Sequence, residues 1–243
     1  MSSRSILPTG KIQAAVIYPL LFPLLPRERV VILGCGDGPQ LAAYAKSGAA
    51  MVGVDINADR LITAEQVAST YGVKSFNTVH ANVEQTTFEG EAFDKAIAVD
   101  IIQHVDDVEQ FCRELRRILV PMGTVLLTFP ALRYRYEYWA GSLKRILLRG
   151  NLRRVPSSAG QGWNPEAVNT HMSVANWIRE VENHGFKLRN SRASTMFPPL
   201  HLAGIPRFWF TNPAVRTIDQ WVCRIPMVKR FGQAYLGVFE KIS

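Results

Sequence analysis

Residues 30–38 read Val30-Val31-Ile32-Leu33-Gly34-Cys35-Gly36-Asp37-Gly38, and this stretch decides the fold of the chain. The β-branched apolar run predicts a buried strand, and the glycines that follow it predict a tight loop. Pro39 then opens a helical pattern, since proline is favoured at the first position of a helix. A strand, a glycine loop and a helix N-terminus in this order suit the binding of a nucleoside-containing ligand.

The spacing of the glycines separates two kinds of nucleotide-binding loop. The dinucleotide fingerprint G-x-G-x-x-G/A places its third small residue at the sixth position. Here Gly38 occupies the fifth position and Pro39 the sixth. The spacing therefore disfavours a nicotinamide-dependent oxidoreductase, which stays an alternative.

Short apolar strands alternate with helical patterns along the chain. The predicted strands are Val30–Leu33, about Met51–Val54, Ser75–Ala81, Phe93–Val99, Thr124–Phe129, Phe186–Ser194 and Tyr235–Lys241. The predicted helices are about Pro39–Lys46, Ala58–Tyr71 capped by Asn57, residues 108–119 starting at Asp106 or Asp107, and a helix from the Ser173 cap through His184. This alternation predicts an α/β fold with a Rossmann-like, doubly wound, mostly parallel seven-stranded sheet.

The chain is predicted to divide into four parts. These are an N-terminal cap (1–29), a ligand-binding core (30–132), a basic helical lid inserted after strand 5 (133–172), and the C-terminal part of the sheet with an aromatic and basic insertion (173–243). The apolar run Ala14–Leu25 is interrupted by prolines and is too short to span a bilayer. It is expected to pack on the domain as a helix or loop, with a flap over the active site or membrane contact as alternatives.

Composition narrows the class of protein. The chain has 243 residues, 47% of them hydrophobic, which supports a sizeable core. Its three cysteines are scattered and form no metal-binding or disulfide pattern, so a reducing, cytoplasmic compartment without a bound metal is expected. The net charge is +8, and residues 133–154 hold seven basic side chains against Glu137, which favours an anionic surface or substrate.

Polar residues follow the predicted strands at one edge of the sheet. Asp55 ends the second strand 17 residues after Gly38, Asn82 follows the third, and 100–104 follow the fourth. Ligands of doubly wound sheets bind at the carboxyl ends of the strands. An acid at Asp55 can accept hydrogen bonds from both hydroxyls of a ribose.

With these residues, the span 30–131 resembles the class I S-adenosylmethionine (SAM) dependent methyltransferase domain of ubiquinone/menaquinone-biosynthesis-type and related small-molecule enzymes. The likeness is carried by Val31–Gly38, Val52-Gly53-Val54-Asp55, Phe93–Ile97 running on to Gln103-His104-Val105, and Arg113–Leu119. Thr170-His171-Met172-Ser173, the helix after it and His184-Gly185-Phe186 resemble the late helix of the family.

The resemblance implies SAM as cofactor and a set of residues that bind it. The glycine loop would pass beneath the methionine and ribose parts of SAM, and Asp100 would lie near the sulfonium. Asn82 and the backbone of Val83 would contact the adenine. The implied cofactor-binding residues are Gly34, Cys35, Gly36, Gly38, Asp55, Ile56, Asn82, Val83 and Asp100.

Three positions depart from the family pattern. Ile32 stands where an acid is usual, Asn82 replaces the acid at the adenine corner, and Met122-Gly123 replaces a glycine pair. These changes keep open the alternative of a non-catalytic SAM-binding partner protein.

His104 and His171 are the candidate catalytic bases, with His104 preferred because it follows the fourth strand. A purely structural role, in a helix start or a loop, is the alternative for each. Trp139–Arg149 has an apolar helical face flanked by cations, which predicts contact with an anionic membrane surface.

The expected partner is a small-molecule acceptor, amphiphilic or anionic, such as a lipid, quinone precursor or lipid-linked sugar. O-methylation is favoured, and the protein is expected in the cytoplasm or peripheral to the membrane. A nucleic-acid methyltransferase is the disfavoured alternative, since the sequence holds no recognisable nucleic-acid module.

Overall fold

The computed structural model describes residues 17–130, 172–194, 217–218, 221–225 and 234–242. Its helices are α1 Tyr18–Leu21, α2 Pro39–Tyr44, α3 Ala58–Tyr71, α4 Val108–Ile118 and α5 Val174–Asn183. Its strands are β1 Arg29–Leu33, β2 Ala50–Asp55, β3 Phe76–His80, β4 Phe93–Ala98, β5 Leu119–Pro130, β6 Phe186–Ala193 and β7 Ala234–Lys241. One 3₁₀ turn, Ile102–His104, follows β4.

The strands form one seven-stranded sheet in the order β3-β2-β1-β4-β5-β7-β6. Strands β1 to β5 run parallel to one another, and β7 is antiparallel to both β5 and β6. The predicted fold class is therefore confirmed. The predicted lid insertion lies outside the described residues, apart from Met172.

The helix ends follow the local sequence. Asn57, Asp107 and Ser173 each accept a hydrogen bond from a backbone N–H in the first turn of α3, α4 and α5, as their side-chain oxygens predict. Gly72 ends α3 in the left-handed conformation, with φ +70°.

Two predicted boundaries miss the observed ones by two residues or more. Helix α2 ends at Tyr44 and not at Lys46. Strand β5 starts at Leu119, where the end of α4 was expected, because Leu119 already pairs with Phe93. The register shifts between Phe93 and Lys95, and Met122 takes a φ of +62°. The strand therefore contains an irregularity. The local sequence does not reveal it, because the same residues resemble the end of a helix.

The sheet has a buried core on each face. One core contains Phe111, Leu115 and Trp177 from α4 and α5. The other contains Tyr18 of α1 and Leu41 of α2, together with residues of α3. The central strand β1 is covered on both faces and is buried from Val30 to Leu33, which is why this stretch is a continuous apolar run.

The topology reverses direction between β1 and β4, because β2 lies on one side of β1 and β4 on the other. This switch opens a crevice at the carboxyl ends of the two strands, the position where doubly wound sheets bind ligands. In the described part of the chain, no helix is both long and apolar enough to cross a bilayer.

Candidate functional site

The glycine loop after β1 has the backbone geometry that its sequence predicts. Gly34, Gly36 and Gly38 have φ values of +65°, +51° and +76°, which side chains of L-residues rarely adopt. A Cβ on Gly34 would lie 2.7 Å from Cδ1 of Ile101, and one on Gly38 would lie 2.8 Å from Cδ1 of Leu41. Both conformation and space therefore require glycine, and the main chain is left open to a ligand.

Asp55, at the end of β2, holds this loop in place. Its Oδ2 accepts a hydrogen bond from the Gly36 N–H at 2.8 Å, and its Oδ1 accepts one from the Asn57 N–H at 3.0 Å. The Cys35 N–H donates to the Val54 carbonyl at 2.9 Å, which ties the loop to β2 a second time. Each carboxylate oxygen keeps a further lone pair, so Asp55 can still accept from the hydroxyls of a ligand.

Cys35 stabilises the glycine loop through its main chain. Its side chain is buried. Burial raises the pKa of its thiol, and the nearby charge of Asp55 raises that pKa further. A thiol with a raised pKa is a poor nucleophile at neutral pH. Cys35 is therefore a packing residue of the loop and not a reactive group.

Arg60, from the first turn of α3, lies against the same loop. Its Nε donates to Oδ1 of Asp37 at 3.1 Å, and its guanidinium occupies the space that a Cβ on Gly36 would need. The sequence pattern did not single out Arg60 as a site residue. The available signal was its place three residues after the Asn57 cap, at the helix end that faces the loop.

The expected adenine corner combines an apolar surface with a closed turn. Ile56, next to the buried Asp55, is 68% exposed. Val83 is buried, and Oδ1 of Asn82 accepts from the Glu84 N–H at 2.9 Å. The Asn82 carbonyl is thus partly engaged within its own turn, with one lone pair left for an exocyclic amine.

Asp100 follows β4 in a strained conformation, with φ +55°. Its N–H donates to the hydroxyl of Thr128 at 2.7 Å, and that hydroxyl donates back to Oδ1 of Asp100 at 3.0 Å. The residue as a whole is exposed, but its carboxyl is packed against protein, and this burial raises the pKa of the carboxyl. The hydrogen bond from Thr128 and the nearby His104 lower the pKa and oppose that effect in part. Such strain is typical of a functional position.

His104, half-buried, lies within electrostatic range of Asp100. Burial lowers the pKa of its imidazole, and the charge of Asp100 opposes that effect only in part. The ring is therefore neutral at pH 7 and able to accept a proton. This state suits the predicted role of a general base.

Tyr18 of α1 lies within electrostatic range of Asp100. Burial raises the pKa of its phenol, and the Asp100 charge raises it further. Helix α1 is held on the body of the fold, since the Tyr44 hydroxyl donates to the Phe22 carbonyl at 2.8 Å. The described part of the apolar run, from residue 17 onward, thus packs on the domain, and the sequence did not single out Tyr18.

The predicted cofactor-binding residues lie at the carboxyl ends of β1, β2, β3 and β4. Of the predicted catalytic residues, His104 is placed near Asp100, whereas His171 lies outside the described residues. The predicted membrane-contacting segment Trp139–Arg149 lies outside them as well.

Residues 31–127 match the family model described as a methyltransferase domain. Residues 31–127 form a class I methyltransferase domain. The resemblance to SAM-dependent methyltransferases is therefore confirmed for this part of the chain, and with it SAM as the cofactor of the family. The three left-handed glycines, the buried Asp55 carboxylate and the exposed Ile56 fit such a ligand.

A curated relative shares this methyltransferase domain. The chain is similar to the ubiquinone biosynthesis O-methyltransferase of Azorhizobium caulinodans, with 31% identity over 100 residues. The match covers 41% of this chain and 39% of the relative, so the chain spans about two fifths of that protein's length.

Solved structures extend the fold comparison beyond the methyltransferase domain. The SAM-dependent methyltransferase of Mesorhizobium loti has a TM-score of 0.60 and 16% identity, covering 95% of this chain and all of that one. The [4+2]-cyclase SpnF has a TM-score of 0.63 and 15% identity, covering all of this chain and 84% of that one. At such identities these likenesses show the fold alone, and the fold serves more than one chemistry.

Replacing Asp55 tests the cofactor site. We expect Asp55→Ala to weaken binding of S-adenosylhomocysteine, the demethylated product of SAM, by about 10- to 100-fold, because hydrogen bonds to a charged group contribute about 1.5–3 kcal/mol. Isothermal titration calorimetry measures this. Asp59→Ala, which removes an exposed acid four residues further on, is the control and should bind as wild type does. Equal affinities for both variants would contradict the assignment.

Proposed function

We propose that the chain transfers the methyl group of SAM to a hydroxyl oxygen of a small anionic or amphiphilic acceptor. The observation that carries the proposal is the convergence of three groups at one sheet edge: the glycine loop, Asp55 and the Asp100–His104 pair. The first two suit the donor, and the third suits chemistry next to it.

The positions of these groups support a separate role for each of them. SAM supplies a methyl group on a sulfonium sulfur, already activated for transfer. The open main chain of the loop and the Asp55 carboxylate orient the donor, so that the reaction gains from proximity. The neutral His104 takes the proton of the acceptor hydroxyl at a ring nitrogen as the oxygen–carbon bond forms and the carbon–sulfur bond breaks.

The choice of oxygen as acceptor atom is supported by the relatives. The name of the Azorhizobium caulinodans protein assigns it O-methylation in ubiquinone biosynthesis. A neutral imidazole beside the site fits a hydroxyl acceptor, since an alcohol or phenol must lose its proton during transfer. The net charge of +8 favours an acceptor that carries negative charge.

Turnover on natural extracts tests the proposal. The protein is incubated with methyl-labelled SAM and with aqueous and lipid extracts of cells, and the labelled products are separated. We expect label in an acidic or amphiphilic product with wild-type protein, and about tenfold less or lower with Asp55→Ala. Binding of S-adenosylhomocysteine without any labelled product would instead identify a non-catalytic SAM binder.

The role of His104 has its own signature in the pH profile. A base with a lowered pKa remains able to accept a proton below pH 6.5, so kcat/KM should rise with pH along a limb centred below about 6.5. His104→Gln should reduce turnover by about 100-fold or more and abolish that limb.

The control for this variant is His184→Gln, which changes a histidine whose Nδ1 lies 2.8 Å from the Glu180 carbonyl oxygen within α5. It should keep both the rate and the limb. An unchanged limb in His104→Gln would remove His104 from catalysis.

Contact of Trp139–Arg149 with an anionic membrane surface is proposed from its sequence, which combines an apolar helical face with cations. Co-sedimentation at low salt should then be stronger with vesicles containing phosphatidylserine than with neutral phosphatidylcholine vesicles. Equal sedimentation with both would contradict it.

A further inference from the structure

A cavity with four cations in its wall opens at the amino ends of the parallel strands. Its volume is about 560 Å³, within the range of small-molecule sites. It lies where α4 ends and β5 begins, next to the last residue of β7. Its lining residues are Glu91, Arg113, Arg116, Arg117, Pro121 and Lys241.

This cavity is separate from the proposed reaction site. SAM and its acceptor are assigned to the carboxyl ends of the strands, whereas Glu91 precedes β4 and Pro121 is among the first residues of β5. Strand β4 has six residues, so the two edges of the sheet are about 20 Å apart. A ligand in the cavity is therefore neither the methyl donor nor the group that is methylated.

Arg116 is fixed in the cavity wall by two main-chain carbonyls. Its Nη1 donates to the Gly185 carbonyl and to the Ile242 carbonyl, both at 2.8 Å. Among the described residues, no carboxylate forms an ion pair with it. The two bonds use a single nitrogen, so Nε and Nη2 still have N–H groups to donate. Arg116 is only partly buried, so an anion in the cavity can reach these groups.

Two further cations are paired only with exposed carboxylates. Arg113 lies 2.6 Å from Glu109, and both side chains are 57% exposed. The Lys241 Nζ lies 3.9 Å from Oε1 of Glu91, whose side chain is 58% exposed. Exposed ion pairs contribute little to stability, so an anion can replace these carboxylates at small cost.

Arg117 has a different role. It lies 2.8 Å from the buried carboxylate of Glu114 and donates to the Phe88 carbonyl at 2.7 Å. Breaking an ion pair with a buried carboxylate is costly. Arg117 is therefore a structural residue of the cavity wall.

Lys241 and Arg116 repel each other in the empty cavity. The Lys241 Nζ donates to the Leu119 carbonyl at 2.7 Å, which fixes its position. Burial lowers the pKa of Lys241, the charge of Glu91 raises it, and the charge of Arg116 lowers it. An anion between the two cations replaces this repulsion by attraction to both.

We propose that this cavity binds a phosphate group through Arg116 and Lys241, with Arg113 as a third cation. The three cations come from a helix and from a strand, so they reach the ligand from different sides. A phosphate monoester carries nearly two negative charges and three acceptor oxygens, which suits several separate donors. A carboxylate needs only one planar fork. This inference goes beyond the proposed function and does not rest on it.

Titration with inorganic phosphate tests the site without any turnover. The protein is first saturated with S-adenosylhomocysteine, so that phosphate does not bind at the glycine loop. Sodium chloride keeps the ionic strength constant, and isothermal titration calorimetry gives the dissociation constant. We expect Arg116→Gln to bind phosphate at least about tenfold more weakly than the wild type, because charged hydrogen bonds are lost. Arg113→Gln should bind about threefold more weakly.

Glu91→Gln should change the affinity in the opposite direction. Removing the carboxylate that competes for Lys241 should tighten phosphate binding about two- to fivefold. A purely structural role of these side chains predicts no such gain. The controls are Arg27→Gln and Asp59→Asn, which make the same charge changes at exposed positions outside the cavity and should bind as the wild type does.

The proposal is contradicted by an absence of binding heat in the wild type, by equal dissociation constants for Arg116→Gln and the wild type, or by weaker binding in Glu91→Gln. Arg116 also holds two carbonyls, so the Tm of its variant is measured without phosphate. If Arg116→Gln does not fold, the variants of Arg113 and Glu91 decide, because both side chains are exposed.

Vesicles distinguish a lipid headgroup from a soluble phosphate compound. Co-sedimentation is measured with phosphatidylcholine vesicles that contain phosphatidic acid, whose headgroup is a phosphate monoester. Weaker sedimentation of Arg116→Gln than of Arg27→Gln identifies a lipid headgroup as the ligand. Equal sedimentation of the two variants, together with the loss of phosphate binding in Arg116→Gln, identifies a soluble phosphate compound. Both results support the site.

Discussion

The hydrogen bond from the Gly36 N–H to Asp55 is the contact on which the site depends. It joins the loop after β1 to the end of β2 and fixes the carboxylate at the carboxyl ends of these strands. Asp55 is buried, and a buried carboxylate without partners would cost several kcal/mol, at least about 3. The loop is therefore shaped before any ligand arrives, and a ligand that binds there does not have to order it.

In the proposed function, the sheet divides into a donor half and an acceptor half with different character. The donor half, β1 to β3, uses glycine conformation, helix caps and one buried acid, all of which lie in the stretch that matches the family. The acceptor half holds less common features, the strained Asp100 and the neutral His104. Tyr18 lies outside the matched stretch 31–127. Enzymes that share a cofactor share the part of the fold that binds it, whereas the acceptor differs between enzymes of the same fold.

Much of the fold could be predicted because local rules and the global fold agree. Asn57 and Ser173 are side-chain caps at the predicted helix starts, and Ala58–Tyr71 is the helix that the sequence predicts. Strand β5 was predicted to start too late because Leu119–Gly123 follows a helical pattern and contains a proline and a glycine. Its pairing with Phe93 and the positive φ of Met122 are decided by the neighbouring strand, which local propensity does not describe.

The sequence by itself determined the glycine loop and the acid that follows the second strand, because each is a local pattern. The alternation of strands and helices along the chain also predicted that the core strands run parallel. It also determined that Asp100 and His104 lie at the ligand edge, since strand ends in such a sheet share an edge. Only the tertiary structure decided that Tyr18 and Thr128 lie near Asp100, and that Arg116 and Lys241 line one cavity. These residues come from distant segments, and their meeting depends on strand register and on the packing of the helices, which no spacing along the chain encodes.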